Sequence, residues 1–209
     1  MANLFFDFDG TIADSEPGIV NSLKYAVAEL EMKELTESEY RTFIGPPIYD
    51  SVNLHYPELN DDQVQEAVQV YHERYVTVGK FDLRIFDELE STLQELKTMG
   101  NKLYTASAKP VDVLTEILEH FNLAQYFDGI YGATDEFPAK TEILKHAMEM
   151  TGSTKSDSVL IGDTMNDING GQNNGVKTIG VTYGFGEVNG ATMIVNSPSE
   201  LISAVREMF

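Results

Sequence analysis

Asp7 and Asp9 stand two residues apart and follow directly on the apolar run Leu4-Phe5-Phe6. Asp-Gly by itself is a common turn dipeptide. Phe6-Asp7-Phe8, however, puts a charge inside a hydrophobic strand, which a plain turn does not require. Buried carboxylates are expensive unless a cation or hydrogen-bond donors compensate them. Three further polar groups fall beside apolar segments. Ser107, with Lys109 two residues on, follows Lys102–Ala106; Lys140 follows the loop Asp135-Glu136-Phe137-Pro138; Gly162-Asp163-Thr164-Met165-Asn166-Asp167 follows Val159-Leu160-Ile161.

The intervening pattern says what must position them. Pro17 suits a first helical turn, and Ile19, Leu23, Ala26, Val27 and Leu30 recur at the helical period. Thr36-x-x-Glu39 reads as a capping box, Ile44-Gly45-Pro46-Pro47-Ile48 as a rigid loop, and Asn60 as the N-cap of a helix from Asp61 to Tyr75. Residues 15–80 therefore read as all-helical, and about 65 residues lies near the lower edge of domain size. From residue 82 onward, helices and β-rich runs alternate. Strands are expected at 102–106, 127–131, 158–161, 178–182 and 192–195. Helices are expected at 86–100, 111–121, 141–150 and 167–174, with a last one opened by Ser197-Pro198-Ser199-Glu200. This alternation predicts an α/β fold: a Rossmann-like parallel-sheet core of residues 1–14 and 81–209, with a helical domain, 15–80, inserted after the first strand. Ligands of such sheets bind outside the carboxyl ends of the strands. Asp7, Ser107 and Asp163 are thus expected along one edge.

Bulk properties narrow the partners. The 209 residues are 42% hydrophobic with no cysteine, so disulfides and thiolate metal sites are excluded. The apolar N-terminal run breaks at Asp7 and lacks a basic region, unlike a signal peptide. No stretch approaches the ~18 apolar residues of a membrane span. The expectation is a cytoplasmic monomer or homodimer. A formal charge of −20 opposes nucleic-acid backbones and anionic membranes. Screening over ~8 Å leaves a small phosphorylated substrate possible, provided positive charge is concentrated at its site.

The order Asp7-Phe-Asp9-Gly10-Thr11, Ser107, Lys140, then Gly162-Asp-Thr-Met-Asn-Asp167 resembles the haloacid-dehalogenase-like phosphohydrolases across nearly the whole chain. The Ile44-Gly-Pro-Pro loop and Tyr183-Gly-Phe-Gly-Glu187 are similar to the phosphoglycolate-phosphatase-like branch, and the helical insertion to its cap. The resemblance implies Asp7 as nucleophile, forming an aspartyl-phosphate, and Asp9 as the acid and then the base. It implies Mg²⁺, an ion that prefers oxygen ligands, held by Asp7, the Asp9 carbonyl and Asp163, with Asp167 supporting them. Ser107 would hydrogen-bond the phosphoryl group and Lys140 would neutralise it. Gly10 would bring its backbone N–H close to the phosphate, and Thr11 would fix the turn. Where the family often has Asn after the strand-end Ser, this chain has Ala108, which removes a polar contact beside the phosphate.

Other patterns carry less. Gly170-x₄-Gly175 is out of register with a phosphate-binding loop and precedes a strand; Gly184-Phe-Gly186 lacks the third glycine of a dinucleotide motif. His55, His72, His120 and His146 are scattered. The expected activity is Mg²⁺-dependent hydrolysis of a small phosphomonoester, phosphoglycolate first, with a nucleoside monophosphate or pyrophosphate as the alternative. Arg41, Tyr40 and Gly45–Tyr49 are the specificity candidates. A dehalogenase would not need Asp9; a sugar-phosphate mutase and a non-catalytic phospholigand-binding module are the remaining classes.

Overall fold

The computed structural model describes residues 1–209. They divide into two compact units, Met1–Asp14 with Ile85–Phe209, and Ser15–Arg84. In chain order the first unit opens with β1 (Asn3–Phe6) and β2 (Ala13–Asp14). The second is helical: α1 (Glu16–Glu29), α2 (Glu37–Arg41), α3 (Ile48–His55) and α4 (Asp61–Thr77). After β3 (Arg84–Ile85) the chain runs α5 (Leu89–Thr98), β4 (Lys102–Thr105), β5 (Ser107–Pro110), α6 (Val111–His120) and β6 (Gly132–Ala133). It ends with α7 (Lys140–Thr151), β7 (Ser158–Gly162), α8 (Met165–Asn174), β8 (Lys177–Val181), β9 (Met193–Val195) and α9 (Glu200–Met208).

The α/β unit is built on a parallel sheet in the order β4-β1-β7-β8-β9. Leu4, Phe5 and Phe6 are all fully buried, as a central strand covered on both faces requires. Phe5 stacks on Tyr104 at 5.1 Å between ring centroids and packs among Ile143, Leu144 and Ala147 of α7 and Leu160 of β7. Phe6 pairs with Thr105 on one side and Ile161 on the other. The three adjacent strands β4, β1 and β7 therefore end level. The residues just beyond them, Asp7, Ser107 and Asp163, emerge along one edge, as the alternation of elements predicts.

The strand expected at 127–131 does not form. A 3₁₀ turn occupies Ala124–Tyr126, and Gly129 makes only an isolated bridge to Tyr104. Backbone bonds from Asp128 N–H to Leu103 O at 2.7 Å and from Thr105 N–H to Gly129 O at 3.2 Å still tie the segment to β4. At Tyr131 the Thr105 hydroxyl accepts from the N–H at 2.8 Å and donates to the carbonyl at 2.9 Å, and pairing resumes at β6 against β5. In the helical unit both expected caps are present, Thr36 with Glu39 and Asn60 with Gln63. Helix α3 was not expected; the Pro46-Pro47 loop is followed at once by about two turns of helix, with Pro47 as its N-cap. The last helix starts later than its sequence signal: Glu200 accepts from Asn196 N–H at 2.8 Å, and Ser197 pairs with the Ser199 hydroxyl instead of capping. No helix is long and apolar enough to cross a membrane.

Candidate active site

Asp7 still belongs to the ladder, its N–H donating to Ile161 O at 2.9 Å. The chain then turns tightly: the N–H groups of Thr11, Ile12 and Ala13 all donate to Phe8 O, at 3.2, 2.9 and 3.1 Å. Gly10 N–H donates to Ala13 O at 2.8 Å and so helps to close the turn. Glycine is required there for two reasons. Its φ is +75°, and a Cβ would lie 2.0 Å from Asp163 Oδ2. Thr11 fixes the turn through its backbone, while its buried Oγ1 has no hydrogen-bond partner.

Lys140, the first residue of α7, is buried, and its ammonium lies 2.6 Å from Asp7 Oδ1 and 2.8 Å from Asp167 Oδ1. It also donates to Ala106 O at 3.0 Å. The two ion pairs compensate charge but are not aligned as hydrogen bonds. Asp167 Oδ2 turns back onto Thr164, accepting from its N–H at 3.0 Å and its hydroxyl at 2.8 Å, which caps α8. Asp163 Oδ2 accepts from Phe185 N–H at 2.7 Å, whereas its Oδ1 is buried with no partner.

Carboxylate oxygens of Asp7, Asp163 and Asp167 lie within 4.8 Å of one another, all three residues buried. One lysine faces three carboxylates, so negative charge is in excess. Burial pushes Asp7 up to about 6; Lys140 opposes this, while Asp167 and Asp9 add to it. Burial also pushes Asp163 up to about 8, reinforced by Asp7 and Asp167 and opposed by the Phe185 N–H. Desolvation works against charged Lys140, but Asp167 and Asp7 outweigh it and hold its pKa above the ordinary lysine value. Hard oxygen donors in excess of their counter-charge, with Asp163 Oδ1 unmatched, fit a divalent cation such as Mg²⁺. The donors suited to it are the carboxylates of Asp7 and Asp163, supported by Asp167.

Asp9 sits on the same turn, with Oδ1 3.2 Å from the ammonium of Lys109. The sequence left Lys109 open to an outward-facing reading; instead its side chain is 5% exposed. Ser107 is buried, and its Oγ accepts from Lys109 N–H at 3.3 Å. Ala108, between them, is half-buried and offers no polar side-chain atom. The structure therefore brings Asp7, Asp9, Gly10, Thr11, Ser107, Ala108, Lys140, Asp163 and Asp167 into the α/β unit's strand-end edge. Arg41 belongs to the helical unit, where it is exposed and pairs with Glu16 at 2.7 Å. Tyr40 is a correction: it is 1% exposed in that unit's own core and presents no accessible face for specificity.

Sequence reasoning missed the residues that hold the carboxylates. Phe185 N–H binds Asp163, and Gly184 makes room for it, because a Cβ there would lie 2.4 Å from Asp163 Oδ2 and from Gly10 O. Gly184-Phe-Gly186 was legible as a glycine pair, but nothing in it says which carboxylate it approaches. His55 and His146 stack on Phe43 and Phe137, and His120 meets Phe121 edge-on, in keeping with discounting them.

A family model described as haloacid dehalogenase-like hydrolase matches residues 4–181. A 5′-nucleotidase of Pseudomonas aeruginosa is 36% identical over 88% of this chain and 84% of its own length. A phosphoglycolate phosphatase of Aquifex aeolicus is 29% identical over 97% of this chain and 95% of its own. Among solved structures, a predicted phosphatase from Clostridium acetobutylicum superposes with a TM-score of 0.91 at 34% identity, covering 99% of this chain and 98% of that one. The resemblance drawn from the motifs is borne out: the chain belongs to the haloacid dehalogenase-like hydrolase family.

Proposed function

We propose that this phosphatase hydrolyses a small soluble phosphomonoester with Mg²⁺, through a phosphoryl group carried on Asp7. The observation that carries the reading is the charge imbalance of the buried cluster, three carboxylates against Lys140. An anionic phosphate would add to that excess, so a dication is needed before it can bind. Bound there, Mg²⁺ would supply Lewis-acid neutralisation of phosphoryl oxygens. The chain's own groups would do the rest. Asp7, held by Lys140, attacks phosphorus while the phosphorus–oxygen bond to the leaving group breaks. Asp9 gives its proton to the departing oxygen, then takes one from the water that attacks the aspartyl-phosphate, which frees phosphate and restores Asp7. Ser107 and the Thr11 hydroxyl offer hydrogen bonds to phosphoryl oxygens, and Lys140 offsets their charge.

Phosphoglycolate is the substrate suggested by the motif resemblance. The nucleotidase relative, more similar than the phosphoglycolate phosphatase, favours a second reading, a nucleoside 5′-monophosphate. Selectivity is assigned to the helical unit acting as a cap, with Arg41 as its candidate residue. The test is phosphate release from a panel holding both substrate classes, with Mg²⁺ or with EDTA, for wild type and Asp7→Asn. Release that needs Mg²⁺ and is lost in Asp7→Asn is expected. Release in EDTA, or wild-type rates in the variant, would overturn the reading.

A further inference from the structure

Each carboxylate of the Asp7-x-Asp9 pair has its own buried lysine. Lys140 serves Asp7 from the start of α7; Lys109 serves Asp9 from β5, with 3.2 Å between Nζ and Oδ1. Burying a lysine is costly unless a partner compensates it. Lys109 is held there by its setting: its N–H donates to Ser107 Oγ, its ammonium lies 5.7 Å from the Phe8 ring centroid, and its strand pairs with β6. A group that passes a proton must stand within ~2.6–3.2 Å of the accepting oxygen, and a misplacement of ~1 Å can cost ~100-fold in rate.

We infer that Lys109 is a positioning residue for Asp9, fixing its carboxylate through Oδ1 in the orientation from which it protonates the leaving oxygen. The inference rests on the aspartyl-phosphate reading above. It assigns to this chain a dependence on leaving-group basicity that runs through a residue two positions beyond Ser107.

The test compares kcat/KM, which reports phosphoryl transfer without the later hydrolysis step, for glycerol phosphate and p-nitrophenyl phosphate. The first needs a proton on its departing alkoxide; the second leaves as a stable phenolate. In Lys109→Met the value for glycerol phosphate should fall roughly tenfold or more relative to that for p-nitrophenyl phosphate. In an Asp9→Asn background the same substitution should add less than about twofold with glycerol phosphate, because the group it orients is gone. Equal losses on both esters, no loss on either, or full additivity with Asp9→Asn would overturn the inference. Should Lys109→Met not fold, Lys109→Gln and the double variant, which leaves no buried charge unpaired, carry the same comparison. The two readings fail separately. Wild-type release by Asp7→Asn sinks the aspartyl-phosphate reading, whereas an inactive Asp7→Asn with uniform loss in Lys109→Met sinks only the role of Lys109.

Discussion

Asp163 is the residue on which the site's charge depends most. Its Oδ2 is committed to Phe185 N–H, its Oδ1 is buried without a partner, and burial pushes its pKa up to about 8. Asp7 is shifted the same way, to about 6. A carboxylate with a raised folded-state pKa binds its proton more tightly in the folded protein than in the unfolded chain. Metal-free protein should therefore lose stability as pH rises from the ordinary aspartate range through about 8. Thermal melts in EDTA should show Tm falling between about pH 5 and about pH 8, and falling less in Asp163→Asn. An identical slope in that variant would contradict the assignment. Mg²⁺ should raise Tm, and more at the alkaline end, because it binds the deprotonated ligands. Asp9→Asn should lose most of its activity yet keep Mg²⁺ affinity near wild type by calorimetry, since its implied metal contact is a backbone carbonyl. A loss as large as that of Asp163→Asn would contradict this division of roles.

At the scale of elements, the site is a product of register. β4, β1 and β7 end level, so the functional residues follow from strand ends that alternation and hydrophobic runs make visible in the sequence. Leu4-Phe5-Phe6 before Asp7, and Val159-Leu160-Ile161 before Gly162-Asp163, were enough to place two carboxylates on adjacent strands. What was not legible were contacts made across long sequence separations. Phe185 is 22 residues from the Asp163 it binds, and Tyr183, whose hydroxyl donates to Thr11 O at 3.2 Å, is 172 from its partner. Lys109 could not be told from a surface lysine, because β5 is too short for its alternation to show which way it faces. The strand expected at 127–131 is reduced to an isolated bridge at Gly129, and at Tyr131 a threonine hydroxyl serves the backbone groups, a side-chain contact that propensity does not encode. The loop after β8 yields its own prediction. Gly184→Ala would put a Cβ 2.4 Å from Asp163 Oδ2 and from Gly10 O, so the carboxylate must move. Calorimetry should show Mg²⁺ affinity reduced on the order of 10–100-fold, the usual consequence of disturbing a group that orients a ligand. Unchanged affinity would mean that Phe185 and Gly184 do not hold Asp163.

For the whole molecule, the net charge of −20 and the buried acidic cluster act in the same direction: both resist an anionic substrate. Local cation concentration must overcome a field that salt only partly screens. Raising ionic strength with KCl at saturating Mg²⁺ should therefore lower KM for a phosphomonoester while changing kcat little; a KM that rises steadily with salt would contradict this balance. The helical unit is assigned the choice among substrates, so Arg41→Ala should reorder the panel's kcat/KM values without abolishing turnover, and an unchanged ranking would remove Arg41 from that role. The central claim concerns Asp7 and is tested most directly by acid-quenching the enzyme during turnover and locating phosphate by mass spectrometry of its peptides. The account predicts one phosphoryl group on Asp7, present with Mg²⁺ and substrate and absent in Asp7→Asn. Turnover with Asp7 unmodified, or with the phosphoryl group on another residue, would contradict it.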